Sequence, residues 1–219
     1  MIEYVLQLFG HVPSLAGGLF PALQLTLLSL LIGYPLGLVF ASLSASRQLP
    51  VRVATIALVE LGRGFPLLVL LLLVYRGFPQ AGFRPGPMAS AVAAFAFSAA
   101  AYSTEMLRSS VAAVPAGQRE VATAIGMRDI DAFRYIVFPQ AIRIALPPLM
   151  SLAIQMFQLT SLAYLVTVSE VMQRAKSTSA ETFETLQVFI VAACIYASVT
   201  VPASFFVRKL EKRLSKGRR

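Results

Sequence analysis

Four long stretches of the chain carry no ionisable residue: Leu19 to Ser46, Pro85 to Thr104, Ile144 to Ser169 and Thr185 to Val207. At roughly 20 apolar residues per crossing, each is long enough for a tilted membrane helix. A fifth stretch, Val53 to Tyr75, is apolar except for Glu60 and Arg63. Its second half, Phe65 to Tyr75, is too short to cross alone, and the stretch predicts one helix interrupted at Gly64 and Pro66. These runs are continuously apolar and lack the alternation of a barrel wall, which excludes a strand barrel. The pattern predicts an all-α integral membrane protein of about five spans, near 19–45, 52–76, 86–112, 141–168 and 185–208, within a membrane domain over 19–210. Residues 1–18 read as a short external or interfacial segment. The opening MIEYVLQLFG has no positive n-region, so no cleaved signal peptide is expected.

Composition supports this. Of 219 residues, 57% are hydrophobic and 13% charged, with a mean hydropathy of +0.73. An ordinary soluble domain carries about a quarter charged residues, and a disordered chain could not hide so much apolar surface.

The net charge of +9 then orients the spans. With five crossings, one side holds Arg76, Arg84, Arg174 and Lys176. The other holds Arg47, Arg52, Arg108, Arg119, Arg128, Arg134, Arg143 and the tail's Arg208, Lys209, Lys212, Arg213, Lys216, Arg218 and Arg219. The positive-inside rule puts the N-terminus outside and the basic tail, 209–219, in the cytoplasm. Without interleaved aromatics or a recognition motif the tail does not read as a nucleic-acid site. Contact with anionic membrane lipid suits it better.

Candidate chemistry within the chain is sparse. Cys194 is the lone cysteine and reads as a small buried hydrophobe. His11, the lone histidine, is poor evidence for a metal site. No nucleophile–His–acid set and no GxxxxGK[ST] phosphate loop is present. The chain reads as neither an enzyme nor a cofactor or metal binder.

The third loop, 115–138, is too long for a plain connector. Pro115 and Gly117 break the third span, and Gln118 to Ile125 can form a short helix that Gly126 stops in a left-handed conformation. Asp129 suits the cap of a second short helix through Tyr135, ending before Pro139. Val121, Ala124 and Ile125 share one face, while Arg119, Glu120, Arg128, Asp129 and Asp131 can project outward. An amphipathic cytoplasmic helix-turn-helix suggests a docking surface for another protein; the alternative is a helix lying on lipid.

The segment GQREVATAIG, Gly117 to Gly126, followed by Pro139, Gln140 and Ala141, resembles the EAA loop of ABC-importer permeases. Glu120, Ala122 and Gly126 match that loop's Glu, second Ala and Gly, and Val121 replaces its usual first Ala. TLLSLLIGYPLG in span one, RGFPLLVLLLLVY in span two, AYSTEMLRSSVAAVPAGQ in span three and FPQAIRIALPPL with TSL in span four are similar to the polar amino acid uptake branch. The resemblance covers most of the chain. It implies the type I (MetI-like) importer fold, and that Gly117, Arg119, Glu120, Ala122, Gly126, Arg128 and Asp129 form a coupling helix seated in an ATPase subunit. It also implies a second permease chain, identical or homologous, an ATPase dimer that uses ATP and Mg, an extracytoplasmic solute-binding protein and an amino acid-like substrate at the bacterial inner membrane. Two departures bear on substrate. Arg63, Gly64, Phe65 and Pro66 stand where the branch has Arg-Gly-Thr-Pro. Gln158, Leu159, Thr160, Ser161 and Leu162 stand where it commonly has Lys-Asp-Thr-Ser-Leu, and Ser151 replaces a usual Asn. Two charges are thus missing from span four, which leaves open a less polar path or an asymmetric pair whose partner chain holds the binding determinants. An opine or a compatible solute is the rival substrate.

An ionisable group inside hydrocarbon costs roughly 2.5–3.5 kcal/mol on insertion scales, so it faces protein or a water-filled interior. Glu60 and Arg63, three apart, can pair on one helical face. They serve either as a structural ion pair or as part of a substrate path, and Glu105 beside Tyr102 and Arg108 has the same two readings. Pro66, Ser151, Gln155, Gln158, Thr160 and Ser161 complete the candidates for a path or a subunit interface, though span hydroxyls more often bond neighbouring helices. An ion-driven carrier would show internal repeats, which are not found. A non-transporting scaffold would use the loop only to dock.

Overall fold

The structure, a computed structural model, describes residues 10–215; among them there are helices and turns and no strand. Residues 10–16 are helical and pass through a turn at Gly17 and Gly18 into α1 (Leu19–Ser44). There follow α2 (Leu49–Gly64), α3 (Leu67–Gln80), α4 (Pro87–Ala112), α5 (Ala116–Ala124), α6 (Asp129–Val166), α7 (Val171–Thr182) and α8 (Thr185–Ser215).

By length and composition, three helices can cross a membrane: Gly10–Ser44, Asp129–Val166 and Thr185–Leu214. The broken pair α2 and α3, bent by 102°, makes a fourth candidate. The bend is a corner rather than the simple interruption the sequence predicts. Phe65 is extended, with ψ of 133°, because a residue before proline avoids the helical region, and Pro66 continues the extended backbone with ψ of 134°. α4 has 26 residues, about 39 Å at 1.5 Å per residue. It is rich in Ala and Ser and falls short of those three in apolar composition, because it is the helix that the others surround.

Proline also explains two local departures from α geometry. Leu73–Gly77 and Phe133–Val137 are both single π-turns, and each runs straight into the same tripeptide, Phe78-Pro79-Gln80 and Phe138-Pro139-Gln140. A proline ring would strike the carbonyl four residues back, and the widened turn moves that carbonyl aside. The second short helix of the third loop therefore does not end before Pro139; it continues into the fourth span as α6. Asp129 is the first residue of α6 and not its cap, a position taken by Arg128.

Packing centres on α1 against α4. Twelve residues of α4 are buried, nearly all Ala, Ser or Thr, with Phe95 the large exception. A Cβ on Gly33 would lie 2.8 Å from both the Ala96 carbonyl oxygen and the Ala99 Cβ. One on Gly37 would overlap Ser103 Oγ and lie 2.9 Å from the Ala100 carbonyl oxygen. Thr104 Oγ1 bridges the pair, donating to the Gly37 carbonyl at 3.1 Å. Gly33 and Gly37, four apart, thus form a small-residue seam of the kind that lets membrane helices touch backbone to backbone. Leu25, Leu71, Phe95, Leu152 and Met156 fill the core around it.

The segment before α1 is docked rather than free. Leu15 is fully buried against Val171, Ala175 and Val188, and a Cβ on Gly18 would clash with the backbone of Glu170 and Val171. Residues 1–9 of the expected interfacial segment lie outside the described residues. Cys194, expected buried, is exposed on α8.

We expect Gly37→Ala to destabilise the fold by about 1–3 kcal/mol, as overpacking does. Adding Ser103→Ala, which removes the overlapping hydroxyl, should recover part of that loss. Thermal unfolding of the purified protein in detergent checks both; an unchanged midpoint for Gly37→Ala contradicts the seam.

Candidate functional site

Three groups of polar or exposed residues stand out. The first is the third loop. Pro115 opens α5, and Gly126 closes it with φ of +78°, so that Met127 N–H reaches the Ala122 carbonyl at 3.0 Å and Gly126 N–H the Thr123 carbonyl at 3.0 Å. This is the left-handed stop expected of that glycine. Ala122 is the buried residue of α5. The base of the loop is an apolar cluster of Val114, Val137 and Ala141, with Val111 and Ile144 against it. Gln118 Oε1 accepts from Gln140 Nε2 at 3.3 Å, and Arg128 clasps Asp131 through two nitrogens at 2.8 and 3.4 Å.

The loop's apolar side chains point the other way. Val121, Ile125, Ile130 and Tyr135 are each more than 60% exposed, interspersed with exposed Gly117, Arg119, Glu120, Arg128 and Asp129. Val121, Ala124 and Ile125 do share a face, and all three are exposed, while Ala122 faces the protein. Large apolar side chains exposed among charged ones are the kind of surface that makes the loop a candidate docking site.

The second group runs along the facing ends of α2 and α4. Gly62 lets the helices meet, since a Cβ there would lie 2.6 Å from Ala101 Cβ. That approach brings Arg63 within 3.1 Å of Glu60 and 3.6 Å of Glu105, and Glu105 is 3.4 Å from Arg108. The four charges form a chain of alternating sign across two helices, and Tyr102 donates to the Arg63 carbonyl at 3.3 Å, next to the corner begun by Phe65 and Pro66. None of the four is buried: Arg63 is 32% and Glu105 41% exposed in the single chain.

The third group lies on α6. Ser151, Gln155 and Gln158 are exposed on one face at spacings of four and three. Ser161 is partly exposed and its hydroxyl donates to the Gln158 carbonyl. Thr160 does not join them. It is fully buried, donates to the Phe157 carbonyl at 2.7 Å, and faces the bundle interior, because the last turns tighten to a 3₁₀ helix over Thr160–Val166.

The sequence reading passed over a buried acid. Glu170 is fully buried where it caps α7, accepting from Met172 N–H at 2.7 Å and Gln173 N–H at 2.8 Å, and from the Tyr196 hydroxyl at 2.6 Å. It ties α7 to α8. Burial raises its pKa above the ordinary carboxylate value and outweighs the three hydrogen bonds, which pull it down. The available signal was position: Glu170 is the sole acid between Asp131 and Glu181, directly before an amphipathic run. Nearby, His11 meets Glu184 at 2.7 Å and Arg174 donates to the Ser14 carbonyl at 3.2 Å, fastening the lead-in helix to α7 and α8. Among the described residues no group of His, Cys, Asp and Glu could hold a metal ion.

Long apolar helices, a proline corner and a short exposed loop helix define a polytopic helical membrane protein. Residues 13–216 match the family of binding-protein-dependent transport system inner membrane components, and the chain belongs to that family. It is 32% identical to the probable amino-acid ABC transporter permease protein YckA of Bacillus subtilis (strain 168), over 92% of this chain and 89% of that protein. It is 34% identical to the L-cystine transport system permease protein TcyB of the same organism, over 93% and 88%. Its fold superposes with a TM-score of 0.91 on a crystal structure of an amino acid ABC transporter with histidines, at 32% identity, covering 95% of this chain and 97% of that one.

Two outcomes are expected at these groups. Neutralising Arg63 and Glu105 singly and together should give a coupling energy of about 0.2–1 kcal/mol, the range for a part-exposed pair, read from thermal unfolding. Glu170 binds its proton more tightly in the folded than in the unfolded chain. Its contribution to stability is therefore greatest below the unfolded carboxylate pKa, about 4.3, and falls as pH rises through the raised folded value. The stability of the wild type relative to Glu170→Gln should fall over that window, and a difference that grows with pH contradicts the assignment.

Proposed function

We propose that this chain is the permease subunit of an ATP-driven importer of an amino acid or related small solute in the bacterial inner membrane. The observation that carries this reading is the third loop: a helix held to the bundle at Ala122, closed by Gly126, and exposing Val121, Ile125, Ile130 and Tyr135 beyond the spans. Family membership and the amino acid transporters among its relatives support it. The positive-inside bias supports an external N-terminus and a cytoplasmic loop and tail.

The chain lacks a phosphate loop of its own, so ATP and Mg belong to a separate ATPase pair docked on α5. A second permease chain, identical or homologous, completes the path, since the polar faces of α2, α4 and α6 are left exposed in one chain. An extracytoplasmic binding protein delivers the solute. Closure of the ATPase pair pushes on α5. The apolar base at Val114 and Val137 passes that motion to the ends of α4 and α6. α4 carries Tyr102 and Glu105, so the same motion reaches Arg63 at the α2 corner. The path then alternates between inward-facing and outward-facing states.

The face of Ser151, Gln155 and Gln158 is polar and uncharged. It suits hydrogen bonding to a zwitterionic solute with a neutral side chain better than an ion pair with a charged one.

Gly126→Asp should abolish uptake and the coupling of ATP hydrolysis while the chain stays in the membrane. A Cβ at this position meets nothing within 4 Å, so only the left-handed backbone, about 1–2 kcal/mol, is penalised within the chain. Gly126→Asn, which tolerates that conformation, should keep most of the uptake. Normal uptake of labelled amino acids by Gly126→Asp in the reconstituted complex would sink the coupling assignment.

A further inference from the structure

A crevice of about 410 Å³ opens between the ends of α1 and α4, helix α5 and the start of α6. Its walls are apolar, formed chiefly by Leu38, Leu107, Val111, Phe133 and Phe138. Two arginines, Arg108 and Arg119, are among its lining residues as well. Arg108 pairs with Glu105 at 3.4 Å through one nitrogen, and no acidic side chain pairs with Arg119 among the described residues. The crevice thus combines an apolar lining with Arg119, for which the described residues supply no acidic partner.

Its depth is informative. Leu38 lies six residues before the end of α1 and Arg108 four before the end of α4, or about 9 and 6 Å along the helix axes. With the loop in the cytoplasm, Arg108 and Leu38 both fall in the last turns of their helices on the inner-leaflet side, within reach of its headgroups and the first methylenes below them. Leu27, Leu31 and Leu38 fall on one face of α1 and are exposed, giving an apolar stripe that leads into the crevice.

We propose that the crevice binds one anionic phospholipid of the inner leaflet. Its phosphate accepts hydrogen bonds from Arg119 and Arg108, and the first methylenes of an acyl chain lie against Phe133, Phe138 and Leu38. A guanidinium pair meets a phosphate with charge-assisted bonds. A free phosphate would bring the same charge but leave the apolar wall wet, and a zwitterionic lipid would carry a competing cation. The lipid would tether α5 to the ends of α1 and α4, making an annular lipid part of the loop's mounting. The proposal rests on the membrane orientation argued above and not on the identity of the solute.

The test is lipid retention by the whole complex, purified with its ATPase, stripped in detergent and titrated with phosphatidylglycerol or phosphatidylcholine, with bound lipid counted by native mass spectrometry. The wild type should retain one phosphatidylglycerol per permease chain in preference to phosphatidylcholine. Arg119→Gln should weaken retention about ten-fold or more, in line with the loss of a charged hydrogen bond. Leu38→Trp, which fills the wall without changing charge, should weaken it as well. Lys209→Gln with Arg213→Gln, in the basic tail, should leave it unchanged. Equal retention in Arg119→Gln and Leu38→Trp, equal retention of the two lipids, or loss only in the tail variant would each overturn the site. Retention is read without solute or ATP, so failure of the lipid site and failure of the importer reading are distinguishable.

Discussion

The close approach of α1 and α4 is the constraint on which the rest of this molecule depends. In a bilayer, lipid tails solvate leucine as well as another helix does, so hydrophobic burial gives helices little reason to associate. Contact must come from atoms that pack more densely against each other than against lipid. Gly33 and Gly37 supply a flat strip on α1, and Ala96, Ala99, Ala100 and Ser103 supply its counterpart on α4. Gly62 does the same for α2 against Ala101. α4 is therefore gripped on more than one side by small residues, which is why its apolar content is modest although it lies at the centre.

That central helix connects the polar features. At one end it carries Glu105 and Arg108 into a chain of charges with Glu60 and Arg63, and it runs on to Val111 and Val114 at the base of the loop. A helix fixed by backbone-level contacts moves as a rigid body, so displacement at one end is felt at the other. At the opposite end of the bundle, Glu170, Tyr196, His11 and Glu184 fasten α7, α8 and the lead-in segment together. The chain is thus tied by hydrogen bonds at one face and by close packing through its middle. Its loop helix α5 is held more lightly, by Ala122 and one side-chain amide pair.

Much of this was legible in the residues. The charge-free runs marked the long helices, Gly126 marked the end of α5, and the three-residue spacing of Glu60 and Arg63 placed them on one face. The π-turns were not anticipated, although the repeated Phe-Pro-Gln was a usable sign, because proline's effect was read as a stop when a single widened turn absorbs it. Thr160 and Ser161 are adjacent in sequence and alike in chemistry. A local tightening of the helix decided that one is buried and the other is not, and no periodic pattern carries that information. Glu170 escaped notice because a lone acid in a loop resembles a solvated charge until its neighbours are known.

The sequence by itself determined that the chain is helical, carries long apolar runs suited to a membrane, and has a short loop helix closed by a glycine. These properties follow from local composition and spacing, which act through hydration and backbone geometry alone. Only the tertiary structure decided which small residues touch, that the second stretch turns by 102°, that Arg63 finds Glu105 on another helix, and that Glu170 is enclosed. Those outcomes depend on contacts between residues far apart in the chain, where a single Cβ or a single carbonyl settles whether two helices meet.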